Sequence, residues 1–389
     1  MSRLLPLAAL AAAAPLALSG CPGACPDPGT VCTVAGTGEA GANEAESRAT
    51  RSPLYGPMDV INWPGEGKFF IGDWNNHKIR VVDGGEMSTI VGTRFLGDGD
   101  PNFLERAAPG VDGTTVALNH PTQAEWNHVT GKLLLPSWHN HRIREWTPET
   151  GNSLVVCADT AIDDGNGANA GFEGDGGPAS DALMAFPNSI AVDDDGSFWF
   201  VDQRNNRIRY VTADYQLIDT VVGDGEDDSD DGSFAEASFN FWTLDDLQPD
   251  PSGAIEYDGV DTLYVADTSN HAIRVLDLTT ETVTTLPTGE QTLPGGACDA
   301  AALCFPHDLE LGPDGRLYIA DTDNDLIRVW DFASETLETI VGTGERGDGE
   351  DGLDALETML QRPYGIDFDD DGALLIADTF NHRIRRVTP

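Results

Sequence analysis

Six stretches of this chain align without a gap: "GDWNNHKIRVV", "PSWHNHRIREW", "VDQRNNRIRYV", "ADTSNHAIRVL", "ADTDNDLIRVW" and "ADTFNHRIRRV". Their lead positions are Asp73, Ser137, Asp202, Asp267, Asp321 and Asp378, spaced by 64, 65, 65, 54 and 57 residues. Three residues on stands an Asn (Asn76, Asn140, Asn205, Asn270, Asn324, Asn381), and seven residues on an Arg (Arg80, Arg144, Arg209, Arg274, Arg328, Arg385). A unit of this size cannot bury its apolar face alone and must stack on its neighbours. In the fifth copy, "FPHDLELG", "RLYIADT", "DLIRVWD" and "LETIVGTG" alternate apolar and polar residues around Asp-Gly punctuation, the pattern of four short antiparallel strands. Such units repeated radially make an all-β, six-bladed β-propeller of four-stranded antiparallel blades. Ile79, Ile143, Ile208, Ile273, Ile327 and Ile384 then face the core between sheets. In the fourth unit strand one is assigned to "WTLDDLQPD", with "PSGAIEYDGVD" as an insertion. The final copy stops before its fourth strand, and "TVCTVAGTG", Thr30 to Gly38, carries the missing phrase. The ring is therefore expected to close by the N-terminal strand pairing into the last blade, which hides two sheet edges.

The words "ADTxNHxIR", followed by "TxVGTG", "GDG" and "P.GI..D.DG", resemble the NHL-repeat propellers over roughly residues 31–389. The Asn-His pair recurs in four units (His77, His141, His271, His382), with Asn206 and Asp325 in the other two. The resemblance is specific for fold. It implies no single activity, since the family includes protein-binding, RNA-binding and lyase members.

Charge narrows the partners. Against 22 basic residues stand 66 acidic ones, for a net charge of −44, so a phosphate backbone is repelled and nucleic acid is not an expected partner. The first twenty residues, one Arg followed by a Leu/Ala run and small residues, read as an export signal. They end in Leu18-Ser19-Gly20-Cys21, which resembles the bacterial lipobox and implies lipid attachment at Cys21, with Pro22 pointing to the outer membrane. Residues 1–20 are then a signal peptide, 21–30 a short tether and 31–389 the propeller, expected as a monomer at the cell envelope. Export permits disulfides. Cys298 with Cys304 and Cys25 with Cys32 are the expected pairs, Cys32 with Cys157 the alternative, and Cys157 otherwise a buried thiol.

Residues present in every blade are expected to hold turns or bridge blades, and a functional site is sought where blades differ. Near the axis, at the second residue after the strand-one proline, stand Asp59, Gln123, Ser189, Asp245, Asp308 and Gly365. His120 and His307 sit beside this ring, and Glu125, Glu310 and Asp367 lie further along. Carboxylates crowded on a narrow axis repel one another unless they share protons or a cation. Asp59, His120, His307 and Asp308 are the candidate metal ligands, for Ca²⁺ through oxygen or Zn²⁺ through imidazole, with a water-filled acidic channel as the plainer alternative. The acidic tract Asp224 to Ser233 lacks an EF-hand pattern. The leading expectation is a non-enzymatic scaffold binding a protein or glycan, with Trp74 and Trp138 either as candidate contacts or packed against the neighbouring blade. The rival is a metal-dependent lyase or lactonase-like hydrolase at the acidic central channel.

Overall fold

Each repeat forms one antiparallel sheet whose first three strands follow chain order from the axis outwards. A computed structural model describes residues 27–42, 47–97, 99, 100, 102, 104–157, 170–241, 251–289, 299 and 301–389. The signal and lipidation residues, Cys25, Asp245 and Cys298 lie outside these. In blade 1 the four strands are Pro57–Trp63, Lys68–Asp73, Lys78–Asp83 and Glu86–Val91. The corresponding first strands of blades 2 to 6 are Glu125–Asn127, Pro187–Val192, Ala254–Tyr257, Pro306–Leu311 and Pro363–Phe368.

Two expectations need correction. In blade 4, strand one is Ala254–Tyr257, inside the supposed insertion, and the axial position assigned to Asp245 falls outside the described residues. Blades 1, 2 and 4 also carry a fifth, outermost strand of two residues (Ser47–Arg48, Val111–Asp112 and Gly232–Ser233) supplied by the long links.

The sixth blade is completed by Val31–Ala35, which pairs with Arg383–Val387 in the register Val31–Val387, Cys32–Arg386, Thr33–Arg385. Gly36, next in the chain, adopts φ +88°, and a Cβ there would lie 2.2 Å from the His382 carbonyl oxygen. Only glycine lets the strand leave the sheet so close to the turn. Six apolar clusters are each shared by two adjacent blades, the one at the seam joining Ala35 and Ile384 to Val60 and Ile71. The six repeated Ile side chains are all fully buried.

The repeated Asp, Asn and Arg build the turn between strands two and three. Asp73 Oδ1 accepts the Tyr55 amide, while Asn76 Nδ2 donates to Asp73 and to the Gly41 carbonyl. Arg80 Nε reaches Asp73 Oδ2 at 3.1 Å, with both side chains almost wholly buried. Burial pushes Asp73, Asp267 and Asp378 up from the carboxylate range, and the paired Arg opposes it. Blade 2 has Ser137 at the lead position. There Arg144 Nε donates to Ser137 Oγ, and Glu105, brought in by the preceding link, supplies the missing negative charge.

After one turn of 3-10 helix the chain reaches a residue with φ of 48–56°, which is His77, His141, Asn206, His271, Asp325 or His382. Asn, Asp and His are the non-glycine types most tolerant of this region. Each also accepts a hydrogen bond from the backbone N–H that precedes strand one of the next blade. His120 donates to His77 Nδ1, Phe186 to His141 Nδ1, Phe305 to His271 Nδ1 and Gly56 to His382 Nδ1, all at 3.1–3.2 Å. Phe241 donates to Asn206 and Arg362 to Asp325. This ring of clasps explains the Asn-His repeat.

An imidazole that gains a proton on Nδ1 can no longer accept. Burial lowers His77 to about 4 from its ordinary 6.5. A folded value below the unfolded one means that the clasp's contribution to stability is complete above about 6.5 and is lost progressively as pH falls to about 4, because the unfolded chain takes up the proton first. His120 and His139, which pack nearby, are lowered too. We expect the parent's melting temperature to fall across that window more steeply than that of His77→Asn, which keeps an acceptor as blade 3 does. Parallel slopes in calorimetric scans would remove His77 from the acid response.

Candidate functional site: the axial cavity

Strand one of each blade lines the axis. A bulge near its start, present in blades 1, 3, 5 and 6, re-aims the side chains that follow the proline. Three levels result.

The first level closes the channel. Met58, Thr122, Gln123, Asn188, His307 and Tyr364 surround a void of only about 10 Å³. Gln123 bridges blades, accepting from Asn188 Nδ2 and donating Nε2 to the His307 carbonyl across the axis at 3.3 Å.

The second level clamps neighbouring blades. Asp59 Oδ2 accepts the Ala124 amide at 2.8 Å, Ser189 Oγ the Ile255 amide at 3.0 Å, and Asp308 Oδ2 the Ile366 amide at 2.7 Å. Gly365 is glycine for room: a Cβ there would sit 2.7 Å from the Asp59 Cα. Burial drives Asp59 up to about 8 and Asp308 well above its ordinary range, with the amide bonds opposing the shift.

The third level is open. Glu125, Glu256, Glu310 and Asp367 line a cavity of about 330 Å³ together with Ile61, Asn62, Trp126 and Tyr257, and His128, Asp194 and Gly259 stand at its rim. Burial, reinforced by repulsion from the neighbouring carboxylates, raises Glu125 and Glu310 well above the carboxylate range and Glu256 to about 8, and burial with the nearby Asp369 raises Asp367 to about 6. Asp367 Oδ2 accepts the Asn62 amide and Glu256 Oε1 the Leu311 amide, both in the next blade. Glu125 and Glu310 make no such link and are left facing the cavity. At neutral pH part of this ring carries protons, so it can donate as well as accept hydrogen bonds. Trp126 and Tyr257 give the walls half-buried aromatic surface, braced by Trp63 at 5.3 Å and Trp199 at 4.9 Å.

The four nominated metal ligands are not one constellation. Asp59 and Asp308 clamp blades. His307 donates Nδ1–H to the Phe305 carbonyl and lies on Tyr364, while His120 packs on His77, His139 and Trp74. Among the described residues no three His, Cys, Asp or Glu side chains converge closely enough to hold a metal ion. Trp138 is fully buried and donates Nε1–H to Gln203 Oε1 in the next blade, so it packs and presents no contact surface. Trp74 is half-buried against His120. Cys32 and Cys304 are disulfide-bonded. Cys157 is a buried free thiol, which rules out its pairing with Cys32.

Glu256 is the site residue that the sequence reading missed. Its signal was present: Ala254-Ile255-Glu256-Tyr257 repeats the order small, Ile, acid, aromatic of Gly365-Ile366-Asp367-Phe368.

Comparison with known proteins agrees with this architecture. The Teneurin NHL domain matches residues 28–248, and the NHL repeat matches residues 303–330. Teneurin-1 of Caenorhabditis elegans is 24% identical over 373 residues, covering 89% of this chain and 13% of that protein. Protein SUPPRESSOR OF QUENCHING 1, chloroplastic, of Arabidopsis thaliana is 25% identical over 277 residues, 53% of this chain and 25% of that protein. The chain thus spans a quarter or less of the length of these curated relatives. The crystal structure of an auxiliary nutrient binding protein from Bacteroides ovatus superposes with a TM-score of 0.61 at 14% identity, over 92% of this chain and 76% of that one. At that identity the likeness concerns the fold alone.

Proposed function

Because the chain belongs to the NHL-repeat family through its match to the Teneurin NHL domain, we propose that it is a rigid binding scaffold of the bacterial cell envelope, taking a glycan or protein partner at the axial cavity. The observation that carries this reading is the third level of the axis. Where the other two levels are spent on joining blades or closing the channel, this one leaves Glu125 and Glu310 facing a cavity with aromatic walls. Partly protonated carboxyls beside a half-buried Trp and Tyr suit a polyhydroxylated ligand, which needs paired donors and acceptors and an apolar face to stack on. The fold shared with a nutrient binding protein is compatible with that role. Placement at the envelope rests on the Leu18-Ser19-Gly20-Cys21 sequence and on the disulfides at Cys32 and Cys304, which suit an oxidising compartment.

The test is titration calorimetry of the purified propeller against a panel of envelope and dietary oligosaccharides. For a bound member, Trp126→Ala and Glu125→Gln/Glu310→Gln should weaken binding at least about tenfold, the scale of one or two lost contacts, each measured on protein that melting scans show to be folded at the assay temperature. Undiminished binding in both variants would remove the cavity as the site.

A further inference from the structure

The closed level of the axis holds two polar atoms that the protein leaves without partners. Thr122 Oγ1 and Asn188 Oδ1 are both buried and unbonded, on residues that are each 1% exposed. Asn188 spends its amide Nδ2 on Gln123 Oε1 and the Gly253 carbonyl, so its own carbonyl oxygen is the unused half. Both residues line the same void of about 10 Å³. His307 lines it too. Its Nδ1–H is committed to the Phe305 carbonyl, and burial followed by the nearby Arg362 charge holds the ring neutral, lowered to about 4. Nε2 is therefore an acceptor.

Buried polar atoms in native proteins are nearly always paired with protein or ordered water. A void of this size is near the ~10–15 Å³ that a single water needs, and a site is suited to water when it supplies two or more polar partners. We propose that the axis contains a binding site for one water molecule, held between Thr122 Oγ1 of blade 2 and Asn188 Oδ1 of blade 3. Thr122 Oγ1 can donate to the water, and the water can donate to Asn188 Oδ1. Met58, Tyr364 and the ring of His307 cover it on the other sides.

The site has a consequence for the cavity. Asn188 and His307 stand three residues before Ala191 and Glu310 on strand one of blades 3 and 5, and Thr122 stands three residues before Glu125 in the segment leading into strand one of blade 2, a distance of about 10 Å at ~3.3 Å per residue. The water completes a closed floor below the acidic level. The cavity is then a cup with one mouth, and whatever it binds enters and leaves at the rim formed by His128, Asp194 and Gly259. This inference stands independently of what the cup binds.

A high-resolution crystal structure of the intact propeller, paired with melting scans of Thr122→Val and Thr122→Ser, tests it. The expected result is one density peak within hydrogen-bond distance of Thr122 Oγ1 and Asn188 Oδ1, a lower melting temperature for Thr122→Val, and a smaller change for Thr122→Ser, which keeps the hydroxyl. If the void is dry, Thr122→Val removes an unpaired hydroxyl at constant shape, so its melting temperature rises or stays level. That result, an empty void, or a peak at the shorter contacts of a metal cation would overturn the proposal.

Discussion

Deletion of residues 31–38 should lower the propeller's stability by about 5 kcal/mol or more, where an equally long cut in an exposed connecting loop should cost about 1 kcal/mol or less. The deleted strand carries Val31 and Ala35, both fully buried, into two different inter-blade clusters. Burial of Val31 alone contributes about 1.5–3 kcal/mol. The strand also supplies a ladder of main-chain bonds to Arg383–Val387 and two further bonds, from Val31 N to the Leu353 carbonyl and from Thr33 N to Asp351 Oδ1. Arg385, fully buried, would lose Thr33 Oγ1 as an acceptor. Its loss leaves strand three of blade 6 as an unpaired edge. Melting by calorimetry gives the magnitude, and amide exchange locates it: protection should vanish first in Arg383–Val387. Equal melting temperatures for the two deletions would show that the seam is not where the ring is held.

How much of this was legible in the sequence depended on whether the chemistry lay within one repeat or between two. The lead Asp, the Asn and the Arg are separated by three and seven residues and meet in one turn, so their structural role followed from repetition. Glu125, Glu310 and Asp367 were found at the axis because each follows its strand-one proline at the same offset. Blade 4 broke that rule. Pro251 stands five residues before Glu256 where the other blades have an offset of four, and the acidic stretch before it offered "WTLDDLQPD" as a decoy, so Glu256 was passed over.

The clasps were less visible for a different reason. His77 and its donor His120 are 43 residues apart, and their meeting depends on a left-handed backbone at His77 and on the angle between two blades. Neither has a sequence signature of its own. The same holds for Asp59 and Asp308. Read along the chain they look like ligands awaiting a cation. In three dimensions each carboxylate already has an amide of the next blade to accept from, and burial holds both well above the ordinary carboxylate range. The physical distinction is between a group that repeats the ring's inter-blade joint and one that departs from it. By that criterion the acidic cup, not the repeated Asp-Asn-Arg set, is where binding chemistry is free to vary.

Blade 2 gives the sharpest test of that joint. Five blades pair the buried Arg with a lead Asp seven residues earlier. In blades 3, 4 and 6 the preceding link adds a partly exposed Asp (Asp175, Asp231, Asp351) to that pair; in blade 2 the link residue Glu105 alone supplies the carboxylate, and both it and Arg144 are completely shielded from solvent. Removing one member of a buried pair strands the other charge, which costs about 3–5 kcal/mol. Glu105→Ala should therefore be among the most damaging single substitutions in the protein. The blade pattern also specifies the repair. Ser137→Asp restores the lead carboxylate at the position that already accepts from Arg144 Nε. In the Glu105→Ala background it should recover most of the lost stability. In the parent it should destabilise: Asp175, Asp231 and Asp351, the link carboxylates that share the Arg with the lead Asp in blades 3, 4 and 6, are partly exposed, whereas Glu105 is fully buried, so two fully buried carboxylates would compete for one guanidinium. The four proteins of this cycle, melted under identical conditions, must show a favourable coupling between the two substitutions. Independent, additive effects would mean that Glu105 holds its link in place by shape and not as the surrogate for a missing aspartate.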